Sequence, residues 1–132
     1  MNSIKYLIYS IILSALFFIS CAQTTDDNSI TVDQLREKMS ADTSLVLLDV
    51  RTPAELEDKS LGHIDGVLNI PVQELESRLS ELEKYKNDEI YVICRSGRRS
   101  AAATNILLKK EFKAINVEGG MVQYRATENK KE

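Results

Sequence analysis

Ile90-Tyr91-Val92-Ile93 runs without a break into Cys94-Arg95-Ser96-Gly97-Arg98-Arg99-Ser100. An unbroken apolar run of this length suits a strand buried on both faces, as in a parallel sheet. Beyond the loop, Ala102, Ala103, Ile106 and Leu107 fall at helical spacing, which predicts a helix from Ser100 to Lys110. Cys94 then sits at the carboxyl end of a strand, where open α/β sheets bind ligands. The loop feeds straight into a helix N-terminus, whose unpaired N–H groups and dipole favour negative charge. Gly97 permits a backbone angle closed to most residues, so successive N–H groups can turn inward as an anion nest. Arg95, Arg98 and Arg99 add positive charge, although a tight loop cannot turn all three inward. Each feature favours thiolate over thiol, so Cys94 is expected to be an activated nucleophile with a lowered pKa. A free cysteine is more often a small apolar filler, but a filler needs no arginine cluster around it.

The rest of the chain alternates in the same way. Leu45 to Val50 is a second buried run, broken only by Asp49. Val67 to Ile70 and Ala114 to Val117 read as shorter strands. Thr31 and Gln34 form a capping box ahead of Val32, Leu35 and Met39. Pro53 is placed to start a short helix. Pro71 is read as opening another, with Val72, Leu75, Leu79 and Leu82 on one face. Gly62 to Gly66 and Glu118-Gly119-Gly120 read as turns. Alternating strands and helices over about 100 residues predict one α/β domain built on an open parallel sheet.

The N-terminus is of another kind. Lys5 precedes an uncharged, almost wholly apolar run from Tyr6 to Ser20. That is the pattern of a secretory signal, and it falls short of the roughly 20 apolar residues a spanning helix needs. Phe18-Ile19-Ser20-Cys21 resembles the lipobox of bacterial lipoproteins, with Phe where Leu is usual. The resemblance implies cleavage after residue 20, lipidation of Cys21 and a location in the cell envelope, facing periplasm or exterior. Residues 21–29 then form a polar tether, 30–126 the domain and 127–132 a tail. Losing Lys5 moves the net charge from −3 to −4, and mild acidity argues against nucleic acid as a partner. With Cys21 lipidated, Cys94 has no disulfide partner in the chain, which points to reactivity.

Cys94-Arg95-Ser96-Gly97-Arg98-Arg99-Ser100 also resembles the active-site loop of single-domain rhodanese-like proteins. Asp49-Val50-Arg51, Gly62-His63-Ile64-Asp65-Gly66, Asn69-Ile70-Pro71 and Val117-Glu118-Gly119-Gly120 resemble further segments of that family, in the same order. The resemblance covers roughly residues 30–124. It implies a three-layer open parallel sheet flanked by helices, working as a monomer. It also implies a sulfurtransferase: Cys94 takes the outer sulfur of thiosulfate or a related anion as a persulfide. A thiol, cyanide or a partner protein then removes that sulfur. The loop N–H groups from Arg95 through Ser96, Gly97, Arg98 and Arg99 to Ser100 would hold the persulfide anion. Arg99 matches the basic residue that ends the loop, with Arg95 and Arg98 holding the donor. Arg51 would pair with a carboxylate and shape the site, and Asp49 would be structural. No metal or organic cofactor is implied.

The spacing Cys-x4-Arg from Cys94 to Arg99 is one residue shorter than the Cys-x5-Arg of cysteine phosphatases, which disfavours phosphoryl chemistry. His63, the single histidine, reads as structural. Two departures from the family stand out. Leu56 to Leu61 lengthen the segment between Glu55 and Gly62. Tyr124 can fill a C-terminal aromatic role, but no Gly-x-Pro follows, so a short or loosely docked last helix is expected. The alternative functions are a non-catalytic persulfide carrier and a thiol-redox sensor.

Overall fold

The computed structural model describes residues 28–128. The signal segment, Cys21, the tether up to residue 27 and the tail from 129 lie outside the described residues. The strands are β1 (Ser29–Ile30), β2 (Val46–Asp49), β3 (Leu68–Asn69), β4 (Glu89–Ile93) and β5 (Lys113–Val117). The α-helices are α1 (Val32–Ala41), α2 (Pro53–Glu57), α3 (Arg98–Lys109) and α4 (Gly120–Glu128). A 3-10 turn covers Lys59–Leu61 and a 3-10 helix Leu75–Tyr85.

All neighbouring strands pair in parallel, in the order β1-β5-β4-β2-β3. The central position of β4 explains its apolar run, because both its faces are covered. Ile90, Val92 and Cys94 join one core with Ala103 and Leu107 of α3 and Leu75 and Leu82 of the 3-10 helix. Tyr91 and Ile93 join the other, with Val32 and Leu35 of α1 and Met121 of α4. The sheet is thus the middle of three layers, as the sequence predicts.

Three details differ from the sequence reading. The helix expected from Ser100 starts at Arg98, so Gly97 is its N-cap, at φ +95°. This brings Arg98, Arg99 and Ser100 into the first turn and turns Ala102 out to solvent. The segment after Pro71 first makes a turn and then winds as a 3-10 helix. Leu75 and Leu82 are buried there, with Val72 and Leu79 packed beside them; the same apolar face serves either winding. Ser29, read as the end of the tether, pairs with Asn116 as the first residue of β1.

The last helix, expected to be short or loosely docked, is instead well held over nine residues. Met121 is buried, and the Arg36 guanidinium of α1 lies 3.7 Å above the Tyr124 ring. That guanidinium also donates to the Tyr124 carbonyl. Among the described residues no helix is long and apolar enough to cross a membrane.

Candidate active site

β4 delivers Cys94 to the carboxyl edge of the sheet, where the side chain is 1% exposed. The chain then turns through Arg95, Ser96 and Gly97 into α3. The Gly97 N–H donates to Cys94 Sγ at 3.1 Å, and the Ser100 hydroxyl approaches it at 3.4 Å. That hydroxyl also lies 3.1 Å from the Gly97 carbonyl. Its single proton can serve only one of the two at a time. Burial pushes the Cys94 pKa up, but the Ser100 hydroxyl and the N–H groups of Ser100, Ser96 and Gly97 outweigh it. The net effect holds the thiol below its ordinary value. An anionic sulfur at a helix N-terminus is thus favoured by the Ser100 hydroxyl and the loop N–H groups rather than by a contacting cation.

Two carbonyls of the loop are bound by α4. Met121 N–H donates to the Cys94 carbonyl at 2.9 Å and Val122 N–H to the Arg95 carbonyl at 3.0 Å. The first turn of α4 therefore clamps the nucleophile loop from behind. Gly120 makes this approach possible: a Cβ there would lie 2.5 Å from the Cys94 carbonyl oxygen and 2.7 Å from the Arg95 carbonyl carbon and oxygen. Gly97 is pressed from the same side, since its Cβ would come within 3.1 Å of the Gly119 nitrogen.

The three arginines have different fates. Arg99 makes a bidentate ion pair with Glu55 of α2, at 2.7 and 2.6 Å. Glu55 also caps α2, accepting from the Thr52 N–H at 3.0 Å and the Thr52 hydroxyl at 3.1 Å. The Arg99 guanidinium beside it lowers its pKa to about 2. Arg95 and Arg98 are exposed. Ser96, Arg98 and Arg99 line an open depression of about 400 Å³ with Val72 and Ala102.

Asp49 and Arg51 form a separate buried pair beside the loop, 2% and 0% exposed. Arg51 Nη2 and Nε donate to Asp49 Oδ2 at 2.8 and 2.9 Å. Nη1 donates to the Leu61 carbonyl at 3.4 Å, and Nη2 also donates to the Gly62 carbonyl at 3.2 Å. The pair thus ties the end of β2 to the lengthened segment 56–61. Asn69 closes the same corner, donating to the carbonyls of Asp49 and Arg51 at 2.9 Å each. His63 is exposed, with Nε2 3.6 Å from Asp65, and is not part of the sulfur site. Among the described residues no His, Cys, Asp and Glu side chains cluster to hold a metal.

Sequence reasoning placed Cys94 and its loop but missed two contributors. Gly120 was read only as a turn, although a Gly-Gly pair at a helix start signals a close backbone approach. Glu55 was noted for the loop that follows it, although its place three residues after Thr52 marks a capping box.

Residues 31–127 match the rhodanese-like domain family. The chain belongs to that family. This rhodanese-like domain is 46% identical over 93 residues to the putative sulfur carrier protein YrkF of Bacillus subtilis, covering 70% of this chain and 48% of that protein. It thus spans about half the length of that relative. It is 37% identical over 95 residues to the putative sulfurtransferase YtwF of the same organism, covering 72% and 87%. A solved rhodanese-related protein from Thermoplasma volcanium superposes with a TM-score of 0.66 at 35% identity, over 76% of this chain and 92% of that one.

Proposed function

We propose that the protein is a sulfurtransferase that carries sulfane sulfur on Cys94. The single observation behind this reading is the Cys94 sulfur held by the Gly97 N–H and the Ser100 hydroxyl at the start of α3. The thiolate attacks the outer sulfur of thiosulfate or a related donor. A sulfur–sulfur bond forms, the bond to the sulfonate sulfur breaks, and sulfite leaves with the electron pair. The charge moves to the terminal persulfide sulfur, which the loop N–H groups are placed to stabilise. A thiol or cyanide then attacks that sulfur and expels the Cys94 thiolate. Incubating the protein with thiosulfate and cyanide should yield thiocyanate at a rate that Cys94→Ala abolishes. Equal background rates for the two proteins would end the enzymatic reading for that donor.

A second reading is a carrier loaded by one protein and unloaded by another. It is favoured by the likeness to a relative named as a putative sulfur carrier. Intact mass of the purified protein separates the readings. A one-sulfur adduct on Cys94 with negligible thiosulfate turnover supports the carrier, whereas sulfenic acid or glutathione there supports redox sensing.

We also propose tethering through a lipid on Cys21, on the strength of the charged start, apolar run and Phe18-Ile19-Ser20-Cys21 segment. Cys21→Ser should block lipid attachment and cleavage after residue 20, leaving an unprocessed, lipid-free chain by intact mass. Unchanged processing together with unchanged membrane fractionation would refute the anchor.

A further inference from the structure

β1 is an edge strand of two residues, and residues 21–28 lead straight into it. It pairs with the last part of β5, Ser29 against Asn116 and Ile30 against Val117. The Asn116 N–H donates to the Asn28 carbonyl at 2.7 Å and the Glu118 N–H to the Ile30 carbonyl at 2.9 Å. The Ser29 hydroxyl adds a bond to Glu118 Oε1 at 2.7 Å. Ile30 packs against the core that also holds Val117 and Met121. β1 therefore fastens the chain as far as Glu118. The next residues are the Gly119-Gly120 turn, at φ +77° and +54°.

That turn bears on the nucleophile loop. A Cβ on Gly97 would meet the Gly119 nitrogen at 3.1 Å. Just past the turn, Met121 and Val122 donate to the Cys94 and Arg95 carbonyls. A peptide group is planar, so the Arg95 carbonyl and the Ser96 N–H share one plane. By holding that carbonyl, Val122 fixes the direction of an N–H that stabilises the Cys94 thiolate. Contacts thus run from β1 through Glu118 and the glycine turn to Ser96 without a gap.

We propose that β1 is a strap that sets the reactivity of Cys94: docked, it holds the Gly119-Gly120 turn and the start of α4 against the nucleophile loop, and peeled away it lets both shift off that loop. A short edge strand held by few backbone bonds opens at low free-energy cost, which suits a two-position element. Whatever holds or binds residues 21–28 then acts on the sulfur site from outside it. Ile30 and Glu118 are positioning residues here, acting through the turn and not on the reacting sulfur. This coupling goes beyond the sulfur-transfer reading and does not depend on it, because it is read on the thiol and the backbone amides.

The test uses the full chain with Ile30→Gly, which weakens the strand and removes its apolar side chain, and with the conservative Ile30→Val. Hydrogen exchange at the Asn116 and Glu118 amides reports whether β1 is docked. In Ile30→Gly these amides should exchange about tenfold faster, and those of Met121 and Val122 should speed up with them. The pH midpoint of Cys94 alkylation by iodoacetamide should rise, so that the thiolate fraction at neutral pH falls about twofold to tenfold, the effect of weakening one hydrogen bond to the sulfur. Ile30→Val should match wild type throughout. Leu79→Ala lowers stability from the opposite core and should leave the midpoint where it is, which separates coupling from a general loss of stability. Ile30→Ala perturbs the strand less and takes the place of Ile30→Gly if that variant does not fold. Fast exchange at Asn116 and Glu118 with Met121, Val122 and the midpoint unmoved overturns the coupling. So does a midpoint that shifts as far in Leu79→Ala as in the strand variants.

Discussion

Replacing Gly120 with Ala puts the clamp behind the nucleophile loop under direct load. Gly120 and Gly66 both have positive φ, +54° and +78°, so a side chain at either position incurs left-handed backbone strain of about 1–2 kcal/mol. Only Gly120 is crowded: its Cβ would fall 2.5 Å from the Cys94 carbonyl oxygen and 2.7 Å from two atoms of Arg95. At Gly66 nothing lies within 4 Å. The obstacles at Gly120 are backbone atoms, so relief requires α4 to move off the loop. That motion breaks the bonds from Met121 and Val122 to the Cys94 and Arg95 carbonyls. Each lost bond costs about 0.5–1.5 kcal/mol. Gly66→Ala should therefore cost about 1–2 kcal/mol and Gly120→Ala about 2–5 kcal/mol. The latter is a large part of the about 5–15 kcal/mol that holds a domain together. Urea unfolding of both variants measures the difference. In the folded fraction of Gly120→Ala, the pH midpoint of Cys94 alkylation should also rise, because a displaced loop no longer aims its N–H groups at the sulfur. Equal losses at the two glycines, with an unmoved midpoint, would refute the clamp.

Three further outcomes follow from the same geometry. Ser100→Ala removes a donor to Sγ, so the midpoint for Cys94 alkylation by iodoacetamide should rise and the rate at neutral pH fall. The folded-state pKa of Glu55, about 2, lies below its usual 4.5; its contribution is therefore fully present above pH 4.5 and lost as pH falls through about 2. Glu55→Gln should cost about 1–2 kcal/mol at neutral pH, discounted for partial exposure, with the deficit closing under acid in urea titrations. Arg51→Met strands the buried Asp49 carboxylate and should cost about 3–5 kcal/mol, much of it recovered by adding Asp49→Leu, again read by urea unfolding.

Strands β2 and β4 were legible because central strands of a parallel sheet are buried on both faces and so carry apolar runs, broken in β2 only by Asp49. β1 was not, since two residues pairing through backbone groups leave no pattern, and Ser29 reads like the polar stretch before it. The winding of the 75–85 segment was hidden because spacings of three and four residues fit both helix types. At the site, the Cys94 loop is local, a strand end, a glycine and a helix start in one short stretch, and so it could be read. The partners it depends on are remote. Glu55 meets Arg99 across 44 positions, and Gly120 packs its backbone against a carbonyl far back along the chain. That a tight loop cannot turn all three arginines inward was legible; that Arg99 goes to Glu55 while Arg95 and Arg98 stay exposed was not, because Glu55 lies on another element.

The clamp from α4 has a consequence for biosynthesis. A ribosome makes residues 94–100 before residues 120–122, so for a time the nucleophile loop exists without the N–H groups that hold its carbonyls. During that interval the loop is held from the α3 side alone, through the Gly97 N–H and the Ser100 hydroxyl. Its second support is added only when the helix that begins at Gly120 settles into place.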